Sequence, residues 1–210
     1  MEKVFVYWDN SNIFIGAQEL AERREKNPAA SFCVRVNFEN MFRLAHADRQ
    51  VAKALAVGSI PPPLRNVWDH LRRQGVDVQL YDRGEAERKE QEIPDRLLQL
   101  EMLRDALDNN GDPGIAVLLT GDGAGYYKGP GIGFHKELER MKKRNWRIEV
   151  LSWEHSCNPR MRKWAEDNGA FVALDDFYDS ITFVQESKPG YEPVKPRAAV
   201  APDLSRRSVA

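Results

Sequence analysis

The stretch Val4-Phe5-Val6-Tyr7-Trp8 is apolar at every position, and the four residues after it, Asp9-Asn10-Ser11-Asn12, are all polar. A short run rich in β-branched and aromatic residues suits a central strand of a sheet covered on both faces. A parallel strand that stops at a carboxylate delivers it to the edge where open α/β sheets bind ligands. Burying Asp9 there costs desolvation, which hydrogen-bond donors or a cation would offset. Asx residues also sit at plain corners, and Ser11 or Asn12 suits the N-cap of a helix expected at 13–24. Both readings of Asp9 and Asn12 stay open at this point.

Further strands are expected at 51–57, 76–81, 115–119, 146–151 and 170–174, with a short extended segment at 32–36. The run at 51–57 is stopped by Gly58-Ser59, and Ile115-Ala116-Val117-Leu118-Leu119 is wholly apolar. Helical periodicity marks 38–46, 64–73, 93–107, 134–144 and 160–168, with a short helix at 175–183. Pro61-Pro62-Pro63 suits a helix start and Gly75 its end. Residues 83–91 read as a charged loop. Strands alternating with helices predict an α/β fold, a three-layer α/β/α sandwich around a mostly parallel sheet of about five or six strands. From Ser187 onward the chain carries Pro189, Pro193, Pro196 and Pro202 and few large apolar residues. The expectation is one domain over 1–186 and a mostly disordered tail over 187–210.

A chain of 210 residues can bury a sizeable core. Its formal net charge of -1 gives no global signature of nucleic-acid binding, so any such binding needs a local patch. Two cysteines, Cys33 and Cys157, without CxxC spacing, argue against a zinc or disulfide framework and fit a reducing compartment. No basic-then-apolar leader opens the chain, and no run approaches ~18 apolar residues, so a cytoplasmic protein without a membrane partner is expected. A homodimer stays open.

Asp122 follows the strand at 115–119 within Thr120-Gly121-Asp122-Gly123-Ala124-Gly125. If that strand lies parallel and next to the first, Asp9 and Asp122 share one edge, across a strand spacing of about 4.8 Å. Two uncompensated carboxylates so close repel, and a shared cation is the economical explanation. Oxygen ligands without His or Cys favour Mg²⁺ or Mn²⁺ over zinc. The glycines suit backbone approach to a phosphate, although Gly-Asp-Gly is also an ordinary turn.

The ordered set resembles the NYN domain, a branch of the PIN-like metal-dependent nucleases. Asp9 and Asn12 match its strand-terminal Asp with an Asn three residues on. Asp95 and Glu101 match its helical acids six positions apart, with Glu in place of the usual Asp. Thr120-Gly121-Asp122 matches its Ser/Thr-Gly-Asp. The resemblance covers about residues 3 to 183. It implies a Mg²⁺- or Mn²⁺-dependent endoribonuclease, giving a 5′-phosphate and a 3′-hydroxyl. Asp9, Asp95, Glu101 and Asp122 would hold the metal, with Asn12 and Thr120 orienting water or a carboxylate. The family's second Asp after Ser-Gly-Asp is Ala124 here. That departure supports an alternative, a weakened or inactive RNA-binding module on the same fold.

Basic residues gather in 135–147 and 158–164. Lys136, Arg140, Lys143, Arg160 and Arg162, together with Lys89, are candidates for backbone phosphates of RNA, and the residues do not distinguish RNA from DNA. They read equally as solvated helix faces. Trp146 and Trp153 read more naturally as core than as stacking platforms, and His135 as structural rather than catalytic.

Overall fold

A computed structural model describes residues 3–60, 68–82, 92–108, 113–121, 133–187 and 192–210, with backbone only at 59–60, 82 and 92–94. In it the apolar runs pair side by side. β1 (Val4–Asp9) is buried along its whole length. The separate two-stranded ladder of β2 (Val34–Val36) and β8 (Thr182–Val184) is antiparallel. The main sheet joins β1 to β3 (Val51–Ile60), β4 (Asp77–Asp82), β5 (Ile115–Leu119), β6 (Arg147–Ser152) and β7 (Ala170–Ala173). Its order is β4-β3-β1-β5-β6-β7, parallel at every pairing.

Strand alternation sends Val4, Val6 and Trp8 to one face and Phe5 and Tyr7 to the other. The first face is covered by α1 (Asn10–Arg24), α2 (Ala30–Cys33), α3 (Phe38–His46), α4 (Asp69–Arg73) and α8 (Tyr178–Ile181). The second is covered by α5 (Glu92–Asp108), α6 (Phe134–Lys143) and α7 (Pro159–Asn168). Three layers and two apolar cores result. Trp146 and Trp153 are both core, at 2% and 0% exposure.

The chain leaves β1 toward β3 on one side, and leaves β5 toward β6 on the other. The carboxyl ends of β1 and β5 therefore flank the point where strand order reverses, the crevice that open sheets use for ligands.

Several boundaries differ from the sequence expectations. α1 starts at Asn10, so Ser11 and Asn12 lie in its first turn and Asp9 holds the N-cap position. β3 runs through Gly58-Ser59 because β4 pairs with it there. A Cβ on Gly58 would stand 3.3 Å from the Trp68 ring, so the glycine lets that ring lie close against the strand. Residues 30–33 form a helical turn before β2. Residues 175–183 divide into a 3-10 turn, α8 and the start of β8. α4 ends on Gln74, with Gly75 following at φ 82°. Pro61 to Pro63 and the loop at 83–91 lie outside the described residues.

The expected disordered tail is corrected over 192–210, which packs on the first face. Val194 is buried, and Arg197 pairs its backbone with Val184. The Arg197 guanidinium reaches Thr182 Oγ1 at 2.9 Å and Glu25 Oε1 at 3.1 Å, and lies over the Tyr178 ring. Arg207 donates to Leu44 O at 2.6 Å and Ala45 O at 2.9 Å, closing the end of α3, and pairs with Glu149 at 2.6 Å. Counting apolar residues overlooks arginine as an anchor, although its planar fork and long stem suit buried pairing. Among the described residues no helix is long and apolar enough to cross a membrane.

Candidate active site at the carboxyl edge of the sheet

Asp9 ends β1 at 1% exposure. It occupies the N-cap position of α1, at φ -85° and ψ 95°, yet its side chain makes no capping bond. Its Oδ2 accepts a hydrogen bond from Asn12 Nδ2 at 2.6 Å. The two residues matched by spacing are thus joined, with the carboxylate held by an amide rather than spent on the helix end.

Trp8 pairs with Leu119, so Thr120 stands beside Asp9 at the next register position, and alternation sends both to the face covered by α5 and α6. Thr120 is fully buried, and its Oγ1 has no hydrogen-bond partner among the described residues. Asn10 Oδ1 is likewise buried without one. Gly121 follows directly. A Cβ there would stand 2.5 Å from the Asn12 carbonyl oxygen, so only glycine lets the exit from β5 lie on the first turn of α1. The Gly121 carbonyl accepts hydrogen bonds from Ser152 Oγ at 3.0 Å and Ser156 Oγ at 2.6 Å. These serines fix the Gly121 carbonyl at the exit from β5, and sequence reasoning missed them. The available signal was Ser152 at the end of a further parallel strand. Asp122 and Ala124 lie outside the described residues, as does Lys89.

The loop carrying Ser156 is itself fastened to α1. Trp153 Nε1 donates to Ile13 O at 2.9 Å, and a Cβ on Gly16 would fall 2.2 Å from Trp153 Cδ1. Gly16→Ala is therefore expected to displace the indole and cost about 1–3 kcal/mol by overpacking. Urea denaturation checks this, and an unchanged midpoint would refute the clamp.

On α5, Asp95 is half-buried. At about 100° per residue it shares the sheet-facing stripe with Leu98, Met102 and Ala106, all buried. Glu101 does not join it, lying about 120° round the helix. Glu101 accepts from Lys53 Nζ at 2.8 Å and from Arg104 NH1 at 2.6 Å. Lys53 also donates to Asp105 at 2.8 Å, and Tyr7 donates to Asp105 at 2.7 Å. The hydrogen bond from Lys53 holds the Glu101 carboxyl below its usual range. Burial, then the Asp105 charge, push the Tyr7 hydroxyl well above its own. The Lys53 ammonium and the Arg104 guanidinium already offset the two carboxylates of this corner, which lies below the rim at the level of Phe5, the register partner of Lys53.

The basic residues divide by position. A helix connecting parallel neighbours runs against the strands, so α6 and α7 start at the rim that carries Asp9. Lys136 and Arg160 are in those first turns. Lys143 ends α6, about 10 Å further along the axis and toward the opposite edge of the sheet. Lys136 pairs with Glu139 at 2.8 Å, and Arg140 pairs with Glu137. Arg162 lies between Glu154 and Glu166, each at 2.9 Å, over the Phe171 ring. His135 packs edge-on against Trp164 at 5.0 Å, and burial lowers its pKa, as befits a structural ring.

The donors near Asp9 are oxygens and amides, a set that fits a hard divalent cation. The orphaned Thr120 hydroxyl beside a buried carboxylate is the observation that favours such an occupant. Among the described residues no three His, Cys, Asp or Glu side chains lie close enough together to hold a metal as they stand.

A family model for the NYN domain matches residues 3–168. No curated protein matches the chain. Among solved structures, that of a protein of unknown function from Vibrio parahaemolyticus is similar, with a TM-score of 0.54 at 18% identity, over 83% of this chain and 94% of that one. At that identity the likeness is one of fold. With the site at the switch point of the sheet and the family match spanning most of the chain, this protein belongs to the NYN domain family and has its PIN-like nuclease fold.

Proposed function

We propose that the chain hydrolyses phosphodiester bonds of RNA with Mg²⁺ or Mn²⁺. The observation that carries the reading is Asp9, buried at the switch point, tied to Asn12, and next to the orphaned Thr120 hydroxyl. Asp9, Asp95 and Asp122 are the residues assigned to the ion. Glu101, engaged by Lys53 and Arg104, is left out of that set. A divalent ion bound there supplies a water of lowered pKa and positive charge against the scissile phosphate.

The chain's own groups do the rest. Asn12 fixes the Asp9 carboxylate in one orientation, which limits reorganisation during the reaction. Thr120 Oγ1 has both a donor and an acceptor to offer a water or a phosphate oxygen. The N-terminus of α1 adds partial positive charge at the same edge. Lys136 and Arg160 flank the rim and are assigned to neighbouring phosphates of the strand. No residue in this reading comes from a second copy of the chain.

The test is incubation of end-labelled single-stranded RNA with Mn²⁺, with Mg²⁺ and with EDTA, alongside DNA of the same sequence. Metal-dependent cleavage of RNA leaving 5′-phosphate ends is expected. Ala124, where the family pattern has an acid, favours a second reading as a binding module. RNA binding without turnover in any divalent metal would establish that one instead.

A further inference from the structure

The residues matched to the family leave one carboxylate short at position 124, and the structure contains an acid with unused capacity elsewhere. Glu137 sits in the first turns of α6 with its side chain 6% exposed. One oxygen, Oε1, is paired with Arg140. The other, Oε2, is buried and has no hydrogen-bond partner among the described residues. A carboxylate oxygen left in this state costs free energy that a cation would recover.

The direction in which Glu137 points follows from the helix. Phe134, Leu138 and Met141 form its buried stripe against the sheet. His135 flanks that stripe on one side and meets Trp164 of α7. Glu137 is about 160° from His135 in the other sense round the helix and so faces α5. There, Gly133 N donates to Gln99 Oε1 at 3.1 Å, fastening the start of α6 to α5 one turn below Asp95. Helical side chains lean toward the N-terminus, so the Glu137 carboxylate rises toward the rim. Strand alternation turns Asp9 and Thr120 to the same face of the sheet, the one that α5 and α6 cover.

We infer that Glu137 is a further ligand of the divalent-cation site, an acid from α6 that compensates for the carboxylate missing at position 124. The inference rests on the metal-dependent reading above. Arg140 then acts as a positioning residue that holds Oε1 and leaves Oε2 for the ion.

The experiment measures Mn²⁺ binding to the full chain by isothermal titration, and thermal melting with and without Mn²⁺, for wild type, Glu137→Gln and Asp9→Asn. Glu137→Gln is expected to weaken Mn²⁺ affinity at least about tenfold. Its metal-free melting temperature should equal or exceed that of wild type, while the rise caused by Mn²⁺ is largely lost. Glu137→Asp, one methylene shorter, should bind Mn²⁺ with intermediate affinity. Wild-type affinity in Glu137→Gln, with binding lost in Asp9→Asn, overturns the inference and leaves the metal reading standing. A Glu137→Gln protein that melts lower yet keeps its full Mn²⁺-induced rise also overturns it, by assigning Glu137 to the Arg140 ion pair only. Absence of Mn²⁺ binding to wild type removes both the inference and the reading it rests on.

Discussion

Asp9→Asn is expected to lower RNA cleavage at saturating Mn²⁺ by at least about a hundredfold, the loss of roughly 3 kcal/mol of transition-state stabilisation. Asn retains shape and an acceptor, so the hydrogen bond from Asn12 Nδ2 survives, while the charge that would hold a cation is gone. The fold should not suffer. Asp9 is 1% exposed, and a neutral amide is cheaper to bury than a carboxylate, so the metal-free variant should melt no lower than wild type. Activity and stability are thus expected to move independently. Cleavage equal to wild type at matched metal would remove Asp9 from the reaction. A collapse of melting temperature would mean that the carboxylate serves the fold instead.

The second large effect concerns stability far from the rim. Glu149 and Arg207 have fully buried side chains and meet at 2.6 Å, with Arg49 adding a further pair at 2.7 Å. Glu149→Ala strands two cations, one of them out of reach of water, and is expected to cost about 3–5 kcal/mol. Replacing Glu149 and Arg207 together by apolar residues of similar volume should recover much of that loss, because the desolvation penalty goes with the charges. Chemical denaturation of the single and double variants reads both quantities.

The pH dependence follows from the same pair. Burial pushes the Glu149 carboxyl up, but hydrogen bonds from Arg49 and Arg207 and the charge of Arg207 outweigh it, and the group ends below its ordinary value. A carboxyl depressed in the folded state stabilises fully above its unfolded pKa and loses that contribution as pH falls through the folded one. The stability gap between wild type and Glu149→Gln should therefore be flat from neutrality to about pH 5 and close below that. A gap that widens with acid would reverse the sign.

Much of the sheet was legible because its strands are short, nearly continuous apolar runs that end in polar residues. Asp9 and Asn12 were readable for the same reason, three residues apart where a strand becomes a helix. Sheet order was not, since pairing Trp8 with Leu119 is a choice made by the whole core. Glu101 was matched by its spacing from Asp95, and its apolar neighbours Leu97, Leu98 and Met102 rightly argued against full exposure, but its ion pairs were not legible. Its partner Lys53 is 48 residues away, and only the packing of α5 on β3 brings them together. Glu137 reads in the sequence as one more acid on a charged helix, because its burial depends on α5 arriving alongside. The tail was misread through its prolines, which limit regular structure without preventing arginines from docking.

The pairing of β1 with β5 also constrains how the molecule comes into being. Asp9 and Asn12 are synthesised more than a hundred residues ahead of Thr120 and Gly121, which complete the edge beside them. Until then the earliest strand lacks a neighbour on one side, and closure of the middle of the sheet awaits a long-range encounter, a slow event in folding. A ribosome-bound fragment ending before residue 115 has only half of this edge, so whatever the edge binds must wait until β5 has been made and paired.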